Sequence, residues 1–135
     1  RGFARFTAEQ KKALGFSDAM RDGQMRMLRT PWFRKLLAYD PRPALRAVKC
    51  PLLALNGEKD LQVAPKENLG AIRAALTAGG NQNVETIELP GRNHLFQNCQ
   101  TGAIAEYGQI EETFDPAALK IVSDWIGKTV EALKR

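Results

Sequence analysis

Leu52-Leu53-Ala54-Leu55-Asn56-Gly57-Glu58-Lys59-Asp60 and Ile87-Glu88-Leu89-Pro90-Gly91-Arg92-Asn93-His94 are the two stretches whose reading decides the fold. Each is an apolar, strand-like run that breaks at a Gly and places an ionisable residue three positions later. The first delivers an Asp, the second the only His of the chain. The residues of 52–56 are apolar toward both faces, as an interior parallel strand requires. Between the two runs, Pro65 opens a predicted helix over 65–78, with Leu69, Ile72 and Leu76 on one side. Gly79-Gly80 stops it. Residues 84–89 then read as the second strand. A strand–helix–strand crossover implies a parallel pair joined in the right-handed sense.

Downstream, residues 95–113 are polar, contain Gly102 and Gly108, and read as a long loop. Asp115-Pro116 supplies an N-cap followed by a first-turn proline. The last helix runs to Leu133, with Leu119, Val122, Ile126, Val130 and Leu133 as its expected buried stripe. Upstream, the chain reads as helical. Thr7 is an N-cap with Gln10 in the capping-box position. The helix breaks at Gly15-Phe16-Ser17-Asp18, where Ser17 or Asp18 caps a second segment to residue 29 that carries Met20, Met25, Met27 and Leu28. Pro31 fits the first turn of a short helix over 32–38. Tyr39-Asp40-Pro41-Arg42-Pro43 ends it, and 44–47 form one further turn. The chain therefore divides into a helical segment, 1–47, and an α/β portion of strand, helix, strand and helix, 48–135.

The 135 residues are enough for one domain, and 44% apolar with 26% charged residues is ordinary for a globular chain. No apolar run approaches the roughly 20 residues that span a bilayer, and residues 1–5 lead into no signal-type apolar stretch. The chain opens on Arg1, so processing or trimming upstream is expected, with the loss of any targeting signal there. Residues 1–50 hold 12 Lys/Arg against 4 Asp/Glu, a net of +8, and residues 51–135 hold 8 against 11, a net of −3. A basic half raises nucleic acid or a membrane surface as partners. However, Arg21, Arg26, Arg29, Arg34, Arg42 and Arg46 are scattered among apolar helical positions and read as a solvated face. No nucleic-acid motif accompanies them. Cys50 and Cys99 fall at opposite ends of a parallel pair, beyond the roughly 7 Å that a disulfide tolerates.

In α/β sheets, ligands bind beyond the carboxyl ends of the strands, where Asp60 and His94 both fall. An Asp that accepts from one imidazole nitrogen fixes the tautomer, and the other nitrogen is then free to deprotonate a nucleophile. These are two of the three groups of a Ser-His-Asp site. The plainer reading keeps Asp60 as a loop cap and His94 as a surface residue. Arg92 and Asn93 border the pair, where they are candidates to touch substrate, with solvent exposure as the plainer reading.

The residues carry a resemblance. Asp40-Pro41-x-Pro43-Ala44-Leu45, the run from Val48 through Gly57-Glu58-Lys59-Asp60, Leu89-Pro90-Gly91-x-Asn93-His94-Leu95-Phe96-Gln97, and Asp115-Pro116 with Asp124-Trp125-Ile126 together resemble the C-terminal third of a bacterial α/β-hydrolase. The similarity is to the esterase and serine-aminopeptidase-like kind. It implies a C-terminal fragment of the α/β-hydrolase fold preceded by cap-type helices. It also implies Asp60 as triad acid, His94 as base, a small-molecule ester or amide as substrate, and no metal or organic cofactor.

The family's nucleophile lies in Gly-x-Ser-x-Gly on a turn between an apolar strand and a helix. The chain has two serines. Ser123 lies inside the last helix. Ser17, in Gly15-Phe16-Ser17-Asp18-Ala19, follows a polar helical run rather than a strand. Cys99 lies near His94 in sequence, but nothing nearby lowers its pKa. Glu58, Asp60 and His94 match no metal-ligand spacing. The oxyanion hole has no counterpart either. The expectation is a chain that supplies acid and base, is inactive alone, and leaves one sheet edge open. That edge either docks a missing N-terminal portion or pairs with another copy. The competing expectation is a non-catalytic interaction module on a hydrolase-derived scaffold, in which the apolar and basic helices 1–47 hold a partner. A phosphate-binding α/β domain would need a Gly-rich loop after a strand, which is not seen.

Overall fold

The structure, a computed structural model, describes residues 18–134. The described residues fall into two compact units, one up to Asp40 and one from Pro41 onward. The N-cap expected at Thr7 with Gln10, the helix there, and Ser17 lie outside the described residues.

In the first unit, helix α1 (Asp18–Arg29) packs against α2 (Pro31–Ala38). Thr30 caps α2. Its hydroxyl accepts the Phe33 N–H at 3.2 Å, and Pro31 occupies the first turn, where its missing N–H costs nothing. The cap is Thr30, a residue the sequence reading passed over for Pro31.

The second unit runs α3 (Arg42–Ala47), β1 (Leu52–Gly57), α4 (Pro65–Ala78), β2 (Val84–Leu89), a 3-10 helix (Ile104–Gln109) and α5 (Pro116–Leu133). It is an α/β arrangement around a two-stranded parallel sheet. The register pairs Leu52 with Val84 and Gly57 with Leu89, so both strands end at one rim. α4 packs on both strands and on α3, which belongs with this unit rather than with α1 and α2. The core is small: Leu69, Ala75 and Leu76 from α4, Leu89 from β2, Cys99, and Ala118 from α5. α4 ends where the Gly79 N–H reaches the Ala75 and Leu76 carbonyls. Buried Asn81 then donates to the carbonyls of Val48 and Cys50 at 3.2 and 2.8 Å, tying the start of β1 to the approach to β2.

The sequence reading makes β1 apolar toward both faces, and Leu52 to Leu55 are half-buried. Among the described residues no strand pairs with its second edge. The α5 stripe differs from the expected one. Leu119, Ile126, Val130 and Leu133 are exposed, and the inward side is Ala118, Ile121, Val122, Trp125 and Thr129. α5 has two apolar faces. The one with Ala118, which is fully buried, turns inward, and the other is left uncovered among the described residues. Within 95–113, the loop contains the 3-10 helix and an antiparallel bridge between Arg92 and Asn98.

Candidate active site

Parallel pairing brings the loops that follow β1 and β2 to the same rim, and four consecutive residues of the first loop grip the second. Gly57 lies so close to the Arg92 and Asn93 carbonyls that a Cβ there would stand 2.5 Å from the Asn93 oxygen. Close backbone approach is therefore its reason to be Gly. At Gly91 the reason is a φ of 70°, in the left-handed region. The Glu58 carboxylate accepts the Gly91 N–H at 2.7 Å. Lys59 N–H donates to the Arg92 carbonyl, and its ammonium reaches the carbonyls of Cys99 and Gln100 at 3.2 and 2.8 Å. Asp60 Oδ2 meets His94 Nδ1 at 2.9 Å.

The two side chains of that pair sit in unequal surroundings. The Asp60 side chain is 4% exposed and that of His94 is 38% exposed. Asp60 Oδ1 accepts the N–H groups of Gln62 and Val63 at 2.8 and 2.9 Å. Oδ2 accepts Asn56 Nδ2 at 2.9 Å as well as His94. Burial works against ionisation of Asp60. The bonds from His94, Val63 and Gln62 outweigh it and hold its pKa below the ordinary carboxylate value. An ionised carboxylate only accepts, so the proton of the contact resides on Nδ1. Among the described residues nothing bonds Nε2, which is left as a proton acceptor on the partly exposed side of the ring.

Asn93 is fully buried, which overturns its expected exposure. Its Oδ1 accepts the N–H groups of Leu95 and Gln97 at 2.9 and 3.0 Å, and its amide donates to Gln97 Oε1. Gln97 in turn donates to the Glu112 carbonyl at 2.9 Å. This closed circuit folds residues 93–97 into a tight loop with Phe96 at a φ of 57°, its ring stacked on Phe114. It fixes where His94 emerges. Arg92 is half-buried, and its guanidinium pairs with Asp115 at 2.7 Å, so it anchors the start of α5. Burial opposes the charge of Asp115, but the Ala117 N–H and Arg92 lower its pKa.

The remaining candidates do not converge on the pair. Glu58 is turned to Gly91 rather than toward Asp60, and no group of three His, Cys, Asp or Glu side chains among the described residues is placed to hold a metal ion. Cys99 is buried, donates its thiol to the Gly91 carbonyl, and has its pKa raised by burial and by the Glu106 charge. Ser123 is exposed on α5. Cys50 and Cys99 are free thiols. Among the described residues, no helix is long and apolar enough to cross a membrane.

Asn56 and Gln97 are structural parts of the site that sequence reasoning missed, and Asn93, which it placed beside the pair, is a third whose burial it misread. A polar Asn at the end of the apolar run 52–55 was the available signal for Asn56. Comparison of the chain with protein-family models, with curated proteins and with solved structures found no match.

Proposed function

We propose that the chain is the acid- and base-bearing C-terminal portion of a serine hydrolase of α/β-hydrolase fold, acting on carboxylic esters or amides. The observation that carries this reading is the Asp60–His94 contact at the shared rim of two parallel strands, with Nε2 left open. In the reaction, His94 Nε2 takes the proton of a serine hydroxyl as that oxygen attacks the acyl carbon, and later gives the proton to the leaving group. Asp60 holds the ring and stabilises the imidazolium. The serine and the oxyanion donors come from sequence outside this chain, which is inactive alone. Leu61, Val63 and Leu95 are exposed near the pair in sequence, and they offer apolar surface for an acyl group.

Two features support docking of further strands. The second edge of β1 has no partner among the described residues, and the outer face of α5 exposes Leu119, Ile126, Val130 and Leu133. The test is complementation. The chain is mixed with the upstream part of its parent polypeptide, and hydrolysis of a p-nitrophenyl ester is measured beside Asp60→Asn and His94→Ala. Activity only with the native pair is expected. A native mixture no more active than the mutants would remove the reading.

A second reading, an interaction module, draws on the exposed Met25, Met27, Leu28, Trp32, Leu36 and Leu37 of α1 and α2. Unchanged partner binding by His94→Ala, together with silence in the complementation assay, would favour it.

A further inference from the structure

The hydrogen bonds around Asp60 converge on its carboxylate, from α4 on one side and from the imidazole on the other. Asn68 Nδ2 donates to Asn56 Oδ1 at 2.8 Å. Asn56 Nδ2 donates to Asp60 Oδ2 at 2.9 Å and, more weakly, to the Val63 carbonyl at 3.4 Å. Asp60 Oδ2 is also the oxygen that receives His94 Nδ1. Chemistry dictates this order. A carboxylate presents only lone pairs, so the Asn56 amide must turn its NH2 toward it. The Asn56 carbonyl then points back and needs a donor, which Asn68 supplies from the first turns of α4.

Asn56 is 4% exposed at the end of β1. A buried amide is costly unless bonded, and an aliphatic side chain would serve a strand better. Its bonds are spent on the carboxylate. Each oxygen of Asp60 receives two donors. Three of those donors are held by backbone or by a neighbouring side chain, and the fourth is the His94 ring. The carboxylate plane is thereby set before the ring arrives.

We propose that Asn56, anchored by Asn68, is a positioning residue. It holds the Asp60 carboxylate in the orientation that meets Nδ1 of His94, and so selects the Nδ1–H tautomer and keeps Nε2 open. This rests on His94 being the base, but its test needs no catalysis. Without such a carboxylate the neutral ring is free to place its proton on Nε2, which could then accept nothing.

His94 is the only histidine of the chain, so 15N-histidine labelling of the whole chain gives one pair of ring nitrogens to read. Spectra are taken in alkaline solution. The native chain is expected mainly as the Nδ1–H form. Asn56→Leu should lower the ratio of Nδ1–H to Nε2–H about five-fold, the scale of one lost hydrogen bond. Asn68→Ala should move it in the same direction with the amide dispersion of a folded chain preserved. Asn68 is only half-buried, so this variant still decides the matter if Asn56→Leu does not fold. A native Nε2–H tautomer, or a ratio unmoved in the folded variants, overturns the proposal. An active parent enzyme with no tautomer change sinks this inference alone. A shifted tautomer in a parent without esterase activity sinks the hydrolase reading alone.

Discussion

His94 Nδ1 stands 2.9 Å from Asp60 Oδ2, although 34 residues of chain separate them. The parallel register makes this possible by ending both strands at one rim, and the four-residue grip of 57–60 on 90–100 holds it. Asp60→Asn keeps an oxygen for the Gln62 and Val63 N–H groups but cannot hold the Nδ1–H proton in the same way. On the proposed reading, kcat of the complemented mixture should fall on the order of 10⁴-fold. Asp60→Ala also strips acceptors from Gln62, Val63 and Asn56, and should cost about 2–3 kcal/mol in urea unfolding. Equal activity of Asp60→Asn and the native chain would rule out the role.

Gly57→Ala tests the grip directly. Its Cβ would run into the Arg92 and Asn93 carbonyls, which belong to the loop that carries His94. Either the loop moves or the strand does. Overpacking of this kind costs about 1–3 kcal/mol. The expected result is a lower urea midpoint together with altered His94 ring signals in NMR spectra. Wild-type stability would show that the two loops are not in contact at this point.

How much of this was legible in the sequence follows from the range of the forces involved. The elements are local, and Pro65, Gly79-Gly80 and Asp115-Pro116 marked them within a residue or so. The Asp60–His94 meeting was readable because a parallel crossover fixes which strand ends share a rim. What failed was what depends on neighbours across the fold. α5 has two apolar faces, and periodicity alone cannot say which one turns inward. Asn93 read as exposed because a polar loop residue usually is, but here a closed amide circuit buries it. Asn56 was hidden for the same reason: its partner Asn68 lies 12 positions away.

Acid should loosen the 100–106 loop only below the ordinary carboxylate range. The Thr101 hydroxyl, with the N–H groups of Gln100, Thr101 and Gly102, converges on the Glu106 carboxylate and lowers its pKa from 4.5 to about 2. A folded-state pKa below the unfolded one means that the stabilising contribution is complete above pH 4.5 and is lost as pH falls through about 2. The amide signals of residues 100–102 should titrate together near that lower value, and Glu106→Gln should abolish the transition. A midpoint near 4.5 would show that the carboxylate is not held.

The unpaired edge of β1 predicts association. Together with the exposed Leu119, Ile126, Val130 and Leu133 of α5, it leaves backbone donors and apolar surface without cover among the described residues. Light scattering of the isolated chain should show a mass that rises with concentration. A well-folded monomer at high concentration would count against both docking and self-pairing.

The two thiols should behave as opposites. Cys50 is exposed ahead of β1, while Cys99 is buried with its Sγ donating to the Gly91 carbonyl at 3.4 Å. Burial and the Glu106 charge raise the Cys99 pKa, and Lys59 only partly offsets them. Only the thiolate attacks a disulfide reagent, so both access and ionisation protect Cys99. A chromogenic disulfide should titrate one thiol quickly in the native chain and the second only after urea is added. Cys50→Ala should remove the fast phase and leave the slow one. Two fast thiols in the native chain would mean that the Gly91–Cys99 contact opens readily.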